Sequence, residues 1–215
     1  MTPAAGLPTM TPLFQSAAIP VMLEVLALVD RASRGMNGPV EAERASLRTK
    51  FEIAASVCRG SLAVDWELAS YALAALADEL LIVDVAWPGQ SWWENHALEV
   101  ELFGSRRRAT EFYARAERAA AMPTSDALLA FVAAVVVGFR GVHRDRPEAL
   151  DAWLRSSKQH VRLSTDRPGV PPSGPDIAGA PPLAGRPLLL WSGFMLAISS
   201  AVLVVAAWAV FVVFS

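Results

Sequence analysis

An all-α body followed by one membrane-spanning helix is the fold that the sequence predicts, and three observations predict it. Apolar residues recur at spacings of three and four through the first 160 residues, and no alternating run is bounded by hairpin turns. Residues 188–214 are 27 consecutive positions without Asp, Glu, Lys, Arg, His, Asn or Gln. Much of the 53% hydrophobic content of this 215-residue chain is therefore concentrated at one end, which leaves an ordinary composition for a body large enough to bury a core without disulfides. The lone Cys58 cannot form an internal bridge and fits a reducing compartment.

The spacing predicts helices near residues 12–34, 40–58, 65–84, 91–103, 105–121, 125–141 and 147–160. Residues 13–29 are interrupted by Gln15, Pro20 and Glu24 and lack a basic leader, so they read as a buried amphipathic helix and not as a signal peptide or a second span. Gly35, Gly38 and Pro39 close the first helix, Gly60 closes the second, and Trp87-Pro88-Gly89 is a turn that no helix crosses. In the third helix Leu68, Tyr71, Ala75, Leu76 and Leu80 form a core stripe, interrupted near its end by Asp78 and Glu79. Ser91 with Glu94 has the form of a capping box, and Gly104 suits the left-handed residue after a helix. Pro123 and Pro147 punctuate the later helices, and the apolar run 127–139, too short to cross a bilayer, is the expected central core helix.

Residues 168–187 hold seven of the fifteen prolines and four of the thirteen glycines, so 161–187 is expected to be a linker between a body of residues 1–160 and the span 188–214. A 27-residue helix is about 40 Å long, more than the roughly 30 Å hydrocarbon core. Arg186, Trp191 and Trp208 are its expected interface anchors. All Lys and Arg lie on its N-terminal side, which places the body in the cytoplasm and the C-terminus in the periplasm of a single-pass, tail-anchored protein. Gly193, Ala197 and Ala201 share one face of the span; they either let a second helix approach closely or reflect the general abundance of small residues in such helices. Residues 1–152 carry 14 basic and 19 acidic side chains, whereas 153–187 carry five basic and two acidic ones. An acidic body argues against nucleic acid as a partner.

Chemistry is hard to find. Phosphate-binding, dinucleotide-binding, nucleophile-elbow and zinc-protease motifs are missing, and His96, His143 and His160 are scattered without metal-ligand spacing. No enzyme, metal or cofactor is expected. Asp78 and Glu79 project about 100° apart on a helix, so they cannot face each other across a scissile bond. Either they are a solvated helix end, or one points inward to brace packing and accept a Trp or backbone N–H while the other meets a partner. Adjacent Trp92 and Trp93 cannot share one helix face, so one of them is expected to be partly exposed as an interface anchor. Arg106-Arg107-Arg108, at the start of a predicted helix, is either a solvated basic turn or a contact for anionic headgroups or an acidic partner.

A series of elements resembles the DotU/TssL (IcmH-type) family of bacterial type VI and type IVB secretion proteins. They are Tyr71-Ala72-Leu73-Ala74-Ala75-Leu76-Ala77-Asp78-Glu79, then Trp87 and Trp92, then Leu98-Glu99 and Leu102-Phe103-Gly104, then Glu111-Phe112-Tyr113, and last Gly138-Phe139-Arg140-Gly141-Val142-His143-Arg144. With the span, they cover roughly residues 40–214. The resemblance implies a cytoplasmic hook-like domain of two small helical bundles hung from the inner membrane by one helix. It implies a scaffold that forms a membrane complex with an IcmF/TssM-like subunit and docks baseplate proteins, with a homodimer also possible. It makes Asp78, Glu79, Trp87, Trp92, Glu99, Glu111, Arg140 and Arg144 candidates for partner contact or helix bracing. Two features depart from the family pattern: the Arg106–Arg108 run replaces small residues, and His143 replaces an aromatic Tyr. The periplasmic peptidoglycan-binding domain that many relatives carry after the span is not expected here. The rival expectation from another class is a tail-anchored regulator that sequesters a soluble cytoplasmic factor.

Overall fold

The computed structural model describes residues 10–165. Eight α-helices run through them: α1 (Pro12–Ser33), α2 (Val40–Val57), α3 (Ala63–Glu79), α4 (Gln90–Asn95), α5 (Leu98–Phe103), α6 (Arg108–Ala120), α7 (Asp126–Val137) and α8 (Pro147–Thr165). Among the described residues there is no strand. The predicted linker beyond 165, the span 188–214 with its Gly193, Ala197, Ala201 face, and the anchors Arg186, Trp191 and Trp208 lie outside the described residues.

Helix α3, and not the apolar run 127–139, is the centre of the core. Every residue from Leu68 to Leu81 is buried, so the predicted stripe is in fact a helix covered on all sides. Its five alanines between 69 and 77 make this possible, because a thin helix lets neighbours approach from every direction. The hairpin α1–α2 packs against it through Phe14, Val21, Val25, Leu28, Leu47 and Phe51; α5, α6 and α7 pack against it too, and α8 packs on α6 and α7. The buried side chains form one continuous cluster. Both α1 and the stretch Asp126–His143 are long and apolar enough to cross a membrane by composition, yet each turns a face into this core.

Several predicted boundaries move, each for a tertiary reason. The helix predicted over 91–103 is two helices, because the carboxylate of Asp78 holds the amides of Leu98 and Glu99 and starts α5 there. The Ser91–Glu94 capping box is not formed: α4 begins at Gln90, with Gly89 at the cap, which places Ser91 inside the first turn. The third helix ends as an α-helix at Glu79 and continues as a π-helical turn, Leu80–Asp84. Helix α6 begins at Arg108, three residues late, because the Arg107 amide is held by Glu99. Helix α8 continues to Thr165. Gly104 takes the left-handed conformation expected of it, with φ of 64°.

Candidate functional site

The site grows from the last two residues of α3. Successive side chains on a helix diverge by about 100°, so Asp78 and Glu79 reach into different parts of the molecule. Both are buried, at 0% and 3% exposure. The structure shows the inward brace that accepts a Trp and backbone N–H, in Asp78, and not a solvated helix end; Glu79 is turned inward as well and not outward. Asp78 Oδ1 accepts from Trp93 Nε1 and from the Leu98 amide, each at 2.9 Å, and Oδ2 accepts from the Glu99 amide at 2.8 Å. The two amides are the first of α5 and have no partner within that helix, so Asp78 caps α5 from across the core.

Glu79 does the same for the loop after α7. Its Oε1 accepts from the amides of Arg140 and Gly141 and from an Arg144 guanidinium nitrogen, each at 2.9 Å. Arg144 also pairs with Asp84 at 2.6 Å, at the end of the π-helical turn. That turn donates from the Val85 amide to the Leu80 carbonyl, and the carbonyls it leaves free are taken up: Leu81 by Trp87 Nε1 at 2.8 Å and Ile82 by Gln90 Nε2 at 2.7 Å. Gly141 is required by its geometry. Its φ is +52°, and a Cβ there would stand 2.7 Å from the Ala109 carbonyl oxygen.

A third buried carboxylate ties α3 to the start of α6. Glu99, 1% exposed, accepts from the Tyr71 hydroxyl at 2.8 Å and from the Arg107 amide at 3.0 Å, both on Oε1. The guanidinium of Arg115 lies 4.0 Å from the Tyr71 ring centroid and pairs with Glu111, which also pairs with Arg107. Tyr113 donates to the Arg140 carbonyl at 2.7 Å, and Phe139 stacks on Phe112 at 3.8 Å. His143 meets the Tyr113 ring edge to face at 4.4 Å.

Burial shapes the electrostatics. It pushes the Asp78 carboxyl above the ordinary range, against the lowering effect of its three donors and of Arg108. Burial also raises the hydroxyls of Tyr71 and Tyr113, and Glu99 raises Tyr71 further. It lowers His143, with Arg146 adding to the effect. Each of the three carboxylates holds at least one backbone amide, which suits bracing, while Glu99 Oε2 is buried without a hydrogen-bond partner. Among the described residues no three His, Cys, Asp or Glu side chains gather in a way that would hold a metal ion.

The structure joins Glu79, Arg140 and Arg144 in one hydrogen-bonded set and Asp78 and Glu99 in another, which leaves Glu111 at its edge, bracing Arg115. Trp87 is buried in it and tilted against Trp93 at 6.2 Å. Trp92 is the partly exposed member of its pair, stacked on His96 at 4.1 Å. Tyr71, Tyr113 and Arg115 were not singled out as network members by sequence reasoning. Nor was Asp126, whose carboxylate holds the Thr11 amide and hydroxyl and fixes the start of α1. Only the position of Asp126 in the first turn of a helix hinted at a role.

The chain matches the family described as "Type VI secretion system protein DotU" over residues 14–214. Its structure is similar to the cytoplasmic domain of TssL from Acinetobacter baumannii, with a TM-score of 0.55 and 24% identity over 68% of this chain and 98% of that one. It is similar also to DotU from Francisella novicida, with a TM-score of 0.55 and 11% identity over 70% and 99%. At these identities the likeness is one of fold. No curated protein matches the chain in sequence.

Proposed function

The chain belongs to the DotU family of type VI secretion proteins, and from that premise we propose that it is a structural inner-membrane subunit of a type VI secretion machine. In this role the helical body faces the cytoplasm and docks the baseplate, while residues 188–214 cross the membrane once and join an IcmF/TssM-like subunit. The observation that carries the reading is the family match itself, which runs through the helical body and on through the apolar run. The buried carboxylates support it: Asp78, Glu99 and Glu79 hold the amides of Leu98, Glu99, Arg107, Arg140 and Gly141, which suits a rigid docking body. Gly193, Ala197 and Ala201 offer the close-packing face for a second helix in the membrane.

The test is affinity purification of the tagged full chain from detergent-solubilised bacterial membranes. The proposal expects an IcmF-like subunit and baseplate components to co-purify. Recovery of neither refutes it.

A further inference from the structure

Helix α1 buries one face, through Phe14, Val21, Val25 and Leu28, and leaves the opposite one open. Leu13, Ser16, Pro20, Leu23 and Ala27 are all exposed, Leu13 at 55% and Leu23 at 59%. Because they stand on one helix, their spacing of three, four, three and four residues sets them in one row. Ile19, also exposed, flanks the row. From Pro12 to Leu23 the helix carries no charged side chain; Glu24 is taken up by Arg31, and the row ends at the exposed Asp30. A surface helix ordinarily turns charged and polar residues outward, so an uncharged apolar row on the outer face of α1 fits a covered surface.

We infer that this row is a contact surface for α1 of a second copy of the chain, packed antiparallel. Three-four spacing is the seam of a coiled coil. Among the registers that set this seam against itself, one places Leu13 opposite Leu23 of the second copy and Ser16 opposite Pro20, with every seam position in the overlap uncharged. A slide of one heptad in one direction sets Leu13 against Asp30, and in the other leaves only Leu13 and Ser16 overlapping. The charge-free register is isologous and closes on itself, as a two-fold dimer requires. Lipid is the poorer cover. The row has no Lys or Arg to meet headgroups, and Pro20 has no N–H, which leaves the Ser16 carbonyl without its donor four residues on. Hydrocarbon offers no substitute, whereas the facing Ser16 hydroxyl does, in place of the Leu13 carbonyl that it bonds within one chain.

Residues 12–24 extend about 20 Å, so the face is small beside the roughly 800 Å² per partner of a stable interface. The dimer therefore forms where copies are held at high effective concentration in one membrane. To that extent the inference rests on the anchored-scaffold reading. It fails separately, because co-purification of an IcmF-like subunit does not require α1 to meet its copy.

The experiment is oxidative cross-linking, with copper phenanthroline, of two differently tagged full chains co-expressed in bacterial membranes. Leu13→Cys in one and Leu23→Cys in the other should give a mixed disulfide at least about fivefold above either variant paired with itself, because antiparallel packing holds like positions about 15 Å apart, beyond the reach of a disulfide. Both positions are exposed, so neither change removes core packing, and the buried Cys58 supplies the baseline. Ile19→Asp in both chains should lower the mixed product about fivefold, since it buries an unpaired charge beside the seam. Equal yields for like and unlike pairs, no mixed product, or no effect of Ile19→Asp overturns the inference. So does quenching of a bimane on Leu23→Cys by brominated phosphatidylcholine in reconstituted vesicles, which would put lipid on the row.

Discussion

Replacing Asp78 by Ala strips acceptors from three buried donors at once: the Trp93 indole and the amides of Leu98 and Glu99. A buried donor left without a partner costs about 1–3 kcal/mol, and three neighbours that relax together are expected to cost about 3–5 kcal/mol. For a chain of this size that is a fall in melting temperature of roughly 10 °C or more. Asp78→Asn is informative because the donors are divided between two oxygens. The amide oxygen can keep Trp93 and Leu98, but the amide nitrogen then faces the Glu99 N–H, donor against donor, at a cost of about 1–3 kcal/mol. Burial raises the Asp78 pKa, so the folded state holds this proton more tightly than the unfolded chain does. Its stabilising effect is present below the ordinary carboxylate value and lost as pH rises through the folded value, and Asp78→Asn flattens that slope. Unfolding of the full chain in mild detergent gives the stability, and hydrogen exchange by mass spectrometry gives the place. Exchange should speed up across 93–99 and stay unchanged across 139–144. A stability loss below about 0.5 kcal/mol in Asp78→Ala, or faster exchange in the wrong loop, would refute the capping role.

Glu79 behaves differently, because all three of its donors converge on one oxygen. Glu79→Gln should keep both amides and cost about 1–2 kcal/mol, while Glu79→Ala costs about 3–5 and loosens 139–144; denaturant titration and exchange of that loop separate them. Gly141→Ala places a Cβ against the Ala109 carbonyl at positive φ, and a destabilisation of roughly 1–3 kcal/mol is expected in the same titration. His143 is held below its ordinary value by burial and Arg146, so the stability it supports is present above about pH 6.5 and lost as pH falls through the folded value. Melting temperatures from neutral to mildly acid pH should therefore drop less in His143→Phe than in the parent chain.

Much of this architecture was legible in local pattern. The helical segments before 60 and after 147, the turn Trp87-Pro88-Gly89 and the cap at Gly104 follow from apolar spacing and from residues whose backbone preferences act over a few positions. The errors cluster around the carboxylates. The break between α4 and α5, the late start of α6 and the missing capping box lie where Asp78 and Glu99 bind amides that local preference would have spent otherwise. An acidic pair near a helix end leaves a solvated and a bracing reading both open when its partners are not visible, and here those partners include an indole, a guanidinium and four amides.

By itself the sequence determined an all-helical body, its punctuation and an apolar run able to cross a membrane, because periodicity and hydrophobic length are local properties of a chain. Only the tertiary structure decided that α3 is buried on every side, that two adjacent carboxylates hold separate segments, and that the loop after α7 packs against the first turn of α6. The physical reason is distance along the chain. Trp93 is 15 residues from Asp78 and Arg144 is 65 from Glu79, and a buried acid can be read as a brace only when the donors that satisfy it have been brought within hydrogen-bond reach.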